Sequence, residues 1–410
     1  MKFNKNEYFI LNILKRALFC PTLSICYPKQ VNWLSVFNEA KQHTVLPIVL
    51  QELSEKPELF DIDTKLLERW KNAVTYQISI NYKLMHNQNE AIALFEKAGL
   101  SYAVLKGTSV SVCYPNPELR VLGDIDILFK PRECMRAVEL LCANGYSAQA
   151  LNLTIHEVVE RSGVRIEPHY MVAEIPDTPA GKVVSSFLEN ATDAAVTEEI
   201  PPYSFKVLST PHQAVALLLH MERHMLHDGI GLRQLCDWAV FVNKKTDNDY
   251  WEKHIQPVLR QCGLLRFAQS LTKICVLYLG LKQDKCTWCV ETEKKICDEL
   301  MESILRSGNM GRKEEDSVTV KKLSGVSGKD GSGSTITGNF AIKMNAMAKR
   351  DFPVCERAPL FLPFIWLYIP VRHLFRVLTG KRKKQFGIKT FNNAKKQRRL
   401  YEDLGLYKIK

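Results

Sequence analysis

The chain of 410 residues has no long uninterrupted hydrophobic run, and this absence excludes several readings at once. The first residues, MKFNKNEYFILNILKRALFC, scatter charges among apolar side chains and offer no apolar core followed by a small-residue cleavage site. They do not read as a signal peptide, so the expected location is cytoplasmic. The most apolar stretch, Ala358 to Val371, is too short and too broken by proline to span a bilayer. Paired cysteine spacing is also missing. The twelve cysteines are irregularly placed and often fall in apolar helical patterns, as do Cys142, Cys236 and Cys275, where they act as small buried hydrophobes. Cys286, Cys289 and Cys297 lack the second CxxC or histidine pair of a zinc site. Two further signatures fail in detail. The run GKDGSGST has no strand leading in and no GK[ST] ending, and HMERH, from His220 to His224, carries its Glu at the third position instead of the second required by the zinc-protease helix.

Net charge is scarce outside one tail. The formal net charge is +12, but Arg372 to Lys410 holds thirteen Lys or Arg against two acids, a net of +11, which leaves about +1 for everything before it. A nucleic-acid-binding body is therefore not expected. With 46% hydrophobic and 24% charged residues the composition is that of a globular protein, and the length implies two or three domains.

Periodicity divides the chain. Residues 1–98 read as a helical leader that Gly99 stops. Residues 99–210 alternate short apolar runs (SYAVLK, GDIDILFK, GVRIEPHY, YSFKVLS) with helical segments, an α/β region around a small sheet. Helices follow over 211–306, opened by Ser209 or Thr210 as cap and Pro211 in the first turn. Residues 307–339, with seven Gly and six Ser, read as a flexible insertion, and 340–410 join an apolar segment to the basic tail. The apolar segment is expected to pack on the helices of 211–306 through Phe361, Ile365 and Leu367. The other reading is peripheral contact with an acidic membrane surface, with Trp366 and Tyr368 at the headgroups.

Chemistry concentrates between Leu105 and Phe129, LKGTSVSVCYPNPELRVLGDIDILF. Strand alternation points Asp124 and Asp126 to one face and Ile125, Ile127 and Phe129 to the other. Two adjacent carboxylates repel, and burial raises their pKa values further, unless cations or donors compensate. A divalent metal does so; a solvated edge strand is the bland alternative. Upstream, a strand ends at Lys106 and turns at Gly107, where backbone N–H groups and the hydroxyl of Thr108 or Ser109 can approach a phosphate. Glu167, on the polar face of GVRIEPHY, offers a third carboxylate. His220 and His224 share a helix face as core or substrate-facing residues, and Asp237 is expected to pair with Arg233.

The order strand, KG(T/S), helix, strand, DxD, helix, strand, Glu resembles the nucleotidyltransferase fold of the DNA polymerase β superfamily. LKGTSVSVCYPNPELRVLGDIDIL is similar, more narrowly, to the signature of a bacterial family of uncharacterised nucleotidyltransferases, and the likeness extends to RIEPHY, LLLHMERH and LRQLCDWAVF, about residues 35 to 300. It implies a small mixed-sheet nucleotidyltransferase core of α/β (α+β) class between the helical leader and a C-terminal helical domain. It further implies Mg²⁺ (or Mn²⁺) on Asp124, Asp126 and Glu167, phosphate held by Gly107 and Thr108, and a triphosphate neutralised by Lys106 and Arg120. The implied reaction moves a nucleoside monophosphate from an NTP to a hydroxyl of a small molecule, a sugar or a protein. A toxin-type enzyme acting on RNA or protein, or a degenerate nucleotide-binding module, are the alternatives. Two departures stand out: Gly107 is followed by Thr108 where the superfamily usually has Ser, and sixteen residues separate Gly107 from Asp124.

Overall fold

Local capping sets where the helices begin. The computed structural model describes residues 4–23, 31–54, 62–149, 155–175, 177–313, 359–378 and 388–406, with a few single positions between 324 and 352. Asn4 and Glu7 cap each other's backbone at the start of α1 (Lys5–Phe19), and Asn32 caps α2 (Trp33–Gln42). After α3 (Leu46–Ser54), Asp63 accepts from the Leu66 N–H and opens the 34-residue α4 (Thr64–Lys97). Each such cap contributes about 1 kcal/mol. Gly99, at φ +68°, ends α4 in the left-handed conformation expected of it.

The chain then builds a mixed seven-stranded sheet, with order β3-β4-β5-β2-β1-β7-β6. Its strands are β1 (Tyr102–Val104), β2 (Ile125–Phe129), β3 (Ser147–Ala148), β4 (Val159–Arg161), β5 (Val164–His169), β6 (Val196–Ile200) and β7 (Tyr203–Val207). Central β2 runs antiparallel to β1 and parallel to β5. Phe129 meets Phe95 of α4 edge-on at 4.9 Å, so α4 covers the face carrying Ile125, Ile127 and Phe129. Asp126, by the same alternation, looks out of the opposite face. The connection from β1 to β2 carries α5 (Lys106–Ser111), and α6 (Pro131–Ala143) follows β2. Farther along, α7 (Pro179–Leu188) shares a cavity with Leu128 and Phe129 at the end of β2.

Helices α8 (Thr210–His227) and α9 (Leu232–Lys245) begin the helical half. Pro211 occupies the first turn of α8 as expected, while the Ser209 hydroxyl bonds the His212 ring rather than a backbone N–H. The helices Leu265–Ile274 and Lys294–Ser307 continue it, and the late helix Ile388–Leu404 returns to pack on them, with Tyr401 and Leu404 fully buried. α1 packs on residues 275–279, so the first and last helices share one apolar core. Cys286 and Cys289 are buried with their thiols on backbone carbonyls, and no metal-ligating group among the described residues includes a cysteine.

The apolar segment departs from expectation. It forms the helix Leu362–Leu378; among the described residues its buried side packs on Met344, Ala348 and Phe352 and not on the helices of residues 211–306, and Phe361 and Leu367 are exposed. The expected insertion lies outside the described residues from 314 on, save Ser324, but 307–313 are ordered: Lys313 pairs with Glu7 and Glu39. Among the described residues no helix is long and apolar enough to cross a membrane.

Candidate active site

Strand register builds the carboxylate cluster. Asp126 and Glu167 are direct partners across β2 and β5, and Asp124 stands one residue ahead of β2. Oxygens of Asp124, Asp126 and Glu167 lie within 4.8 Å of one another. Asp126 and Glu167 are buried, whereas Asp124 reaches solvent. Three hard oxygen donors at such spacing suit a divalent cation such as Mg²⁺ or Mn²⁺.

The sequence implied repulsion, and the structure shows how it is distributed. Asp124 is pushed up to about 6, first by the Asp126 charge, then by burial and by Glu167. Burial would raise Asp126 as well, but the Lys106 ammonium and His169 hold it well below the ordinary carboxylate range. Both contact Asp126 Oδ1 at 2.8 Å, Lys106 through Nζ and His169 through Nε2. The His169 Nδ1 lies 3.2 Å from the Met171 carbonyl, and burial is outweighed by Asp126 and Glu167, which raise its pKa. Glu167 is held down against its burial chiefly by His169; its Oε1 meets Arg165 at 2.8 Å and its Oε2 meets His156 at 3.3 Å. His156 and His169, with Glu167, form a second group of possible metal ligands sharing that carboxylate.

The turn before α5 is tight. Lys106 is held at φ +46°, a conformation unusual for a residue with a side chain, and at Gly107, itself at φ 0°, a Cβ would come 3.3 Å from Leu122 and 3.6 Å from Arg120, so this backbone suits glycine at 107. Thr108 is buried, and Ser109, beside it, is bridged by Gln213 of α8.

Arg120 is held by Asp237 of α9. It is buried and donates from Nε and Nη2 to the two carboxylate oxygens of Asp237 at 3.1 and 2.7 Å, while the Tyr114 hydroxyl donates to the same carboxylate at 2.7 Å. This corrects the expected Asp237–Arg233 pair. Two groups from one loop, the bidentate Arg120 guanidinium and the Tyr114 hydroxyl, meet both oxygens of Asp237 at once. Arg233, thus left without a carboxylate, is half-buried, donates from Nη1 to the Val121 carbonyl at 3.0 Å, and has no partner for Nε. Its charge helps to hold down the pKa of Asp124, and burial followed by the Arg120 charge lowers its own to about 10, so it is cationic at neutral pH.

Sequence reasoning missed Asn81. From inside α4 its side chain donates to the carbonyls of Glu118 (2.8 Å) and Arg120 (3.0 Å) and accepts from the Leu122 N–H (2.9 Å), fastening the loop that delivers Asp124. His220 and His224 do share a face, with ring centroids 4.4 Å apart, and burial lowers both, His224 to about 4. The first turn of α9 is tied on two sides: Leu232 N–H donates to His43 Nδ1 at 3.2 Å, and Gln234 donates to Asn309 at 2.6 Å. Gly231 sits so close to Asn309 that a Cβ there would fall 2.7 Å from its backbone nitrogen.

Residues 29–280, more than half of the chain, match the model of a family described as uncharacterised nucleotidyltransferase. The chain belongs to that family. The nucleotidyltransferase is also similar to a crystal structure of an antigenic nucleotidyltransferase-like protein from Paracoccidioides brasiliensis, at 12% identity and a TM-score of 0.33, covering 50% of this chain and 96% of that one. Among curated proteins no relative matches. The site of this nucleotidyltransferase thus sits between a mixed sheet and the first two helices of its helical half.

Proposed function

We propose that the protein transfers a nucleoside monophosphate from an NTP to an acceptor hydroxyl, with Asp124, Asp126 and Glu167 as the ligands of Mg²⁺ or Mn²⁺. The observation that carries this reading is the Asp126–Glu167 register with Asp124 beside it, three carboxylates within 4.8 Å at the sheet's open face. Bound there, a divalent ion supplies charge neutralisation at the triphosphate and at the entering oxygen. Lys106 and Arg233 both act on Asp124 with positive charge, and Arg233 is assigned to the triphosphate in place of Arg120, to which the resemblance gave that part. Gly107 and Thr108 remain the phosphate turn by position. Arg120 acts one step away, locking the loop between Tyr114 and Asp124 onto α9 through Asp237. In the reaction the acceptor oxygen bonds to the α-phosphorus, the bond to pyrophosphate breaks, and the hydroxyl proton passes to Glu167 Oε2. Its Oε1 is kept by Arg165.

The face of β2 continues from Asp126 to Leu128. Leu128 lines a cavity of about 710 Å³ with Lys130, Tyr170 and Met171 at the ends of β2 and β5, and we assign this space to the acceptor. The lining is apolar over most of its area and its two cations, Lys130 and Arg132, are accompanied by the acid Glu189, which suits a small molecule or a side chain better than a nucleic acid. A supply of NTP places the reaction in the cytoplasm.

Incubation with labelled NTPs, Mg²⁺ or Mn²⁺ and candidate acceptors tests the reading. Transfer is expected from the native protein and none from Asp124→Asn/Asp126→Asn. The double variant should also lose the rise in melting temperature that NTP with metal gives the native protein. An undiminished rise in that variant would overturn the metal assignment.

A further inference from the structure

Nucleotidyl transfer leaves the helix Leu362–Leu378 without a task. One of its sides closes on a small apolar cluster: Ile369 is buried with Met344 and Ala348, flanked by Phe352, Leu362, Ile365 and Trp366. Trp366 turns inward, donating from Nε1 to Asn345 Oδ1 at 2.9 Å, which places it away from the side a membrane would meet. Among the described residues the other side is bare. Leu360, Phe364, Leu367 and Val371 are 87, 71, 73 and 65% exposed, and Phe361 and Tyr368 are half-exposed beside them. Their spacing of four, three and four residues makes one continuous stripe, unlike the isolated exposed apolar residues that any surface carries.

Charge indicates what covers the stripe. From Arg357 to Tyr401 the sequence holds twelve Lys or Arg and no Asp or Glu, while Met1 to Val371 is close to neutral. In the sequence the helix is followed by Lys381, Arg382, Lys383 and Lys384. A second copy of the chain would cover an apolar stripe but would bring the same excess of positive charge. A nucleic acid would meet the charge and leave the stripe in water. An anionic bilayer surface offers acyl chains and negative headgroups side by side, matching both the stripe and the charge.

We infer that the helix Leu362–Leu378 lies in the plane of an anionic membrane surface, with Leu360, Phe364, Leu367 and Val371 inserted and the following basic residues among the headgroups. Seventeen residues with prolines at 363 and 370 do not cross a bilayer, yet an in-plane helix tolerates them because its water-facing carbonyls stay solvated. The placement is independent of the reaction and would hold for an inactive protein.

Flotation of the full chain with vesicles of phosphatidylcholine and phosphatidylglycerol, and with phosphatidylcholine alone, tests it. The chain is expected to float with the anionic vesicles at low salt, to stay down with neutral ones, and to be released at high salt. Phe364→Glu/Leu367→Glu should lower the bound fraction at least about tenfold. Replacing Lys381, Arg382, Lys383 and Lys384 by Gln should weaken binding roughly fivefold per charge. The thermal shift with NTP and metal should match the native protein in both variants, confirming that they fold. A native chain that stays down with anionic vesicles at low salt, or flotation unchanged by Phe364→Glu/Leu367→Glu, overturns the inference. So does a concentration-dependent dimer that this variant abolishes in the absence of any flotation, which would give the stripe to a second copy.

Discussion

Asp126 stands directly across from Glu167 in parallel strands, and His169 reaches both carboxylates from two residues farther along β5. The pair is thereby fixed by backbone register, which a side-chain rotation cannot undo, and the positions of its oxygens follow from the sheet itself.

Glu167→Gln keeps the size of the side chain and its place in the sheet while removing the proton acceptor. Transfer should fall by about two orders of magnitude or more, with NTP binding almost unchanged. Single-turnover measurement alongside nucleotide titration checks this; full turnover in the variant would require another acid.

The two arginines should separate. Arg120→Ala leaves Asp237 buried without its guanidinium and should cost about 3–5 kcal/mol of stability, read by denaturant unfolding. Arg233→Ala should change stability far less but weaken NTP binding at least about tenfold. An Arg233→Ala protein with native NTP affinity would remove this residue from the site.

Asp124 gives a pH signature. Its pKa in the folded protein, about 6, lies above the ordinary carboxylate value, so folding favours the protonated form. The stability this lends is fully present below the ordinary value and is lost as pH rises through about 6. Without divalent ion, Asp124→Asn should therefore melt above the native protein near pH 8, and the gap should close by about pH 4. A gap that widens on acidification would contradict the arrangement of charges.

Met171→Trp fills part of the cavity assigned to the acceptor from a partly exposed position. It should lower transfer to a given acceptor with the NTP-dependent thermal shift intact. Equal loss of both would move the acceptor elsewhere.

The carboxylates were legible because strand alternation is a local rule: the two-residue spacing of Asp124 and Asp126, and the polar-face position of Glu167, needed only the chain's own period. The partner of Asp237 was not. Arg233 lies four residues earlier on the same helix, which is where local reasoning looks, but a buried bidentate contact from Arg120 in a distant loop prevails over helical proximity. Asn81 gave no local sign at all, since an asparagine in a long helix is ordinary until the loop it holds is known. For the apolar run, the pattern announced an amphipathic helix; nothing in the pattern said which body would share its buried side.

His43 and Asn309 hold the first turn of α9, the helix that presents Arg233 to the carboxylates and Asp237 to Arg120. One anchor comes from the N-terminal helices and the other from beyond the span matched by the family model. A fragment cut to residues 99–210 would keep all three carboxylates and lose the opposing cation. Trimming at residue 280 would release one of the two anchors of the helix that carries it. The smallest unit able to work therefore extends from at least residue 43 to residue 309, and substitutions at either anchor should detune nucleotide affinity without touching a single group in the cleft.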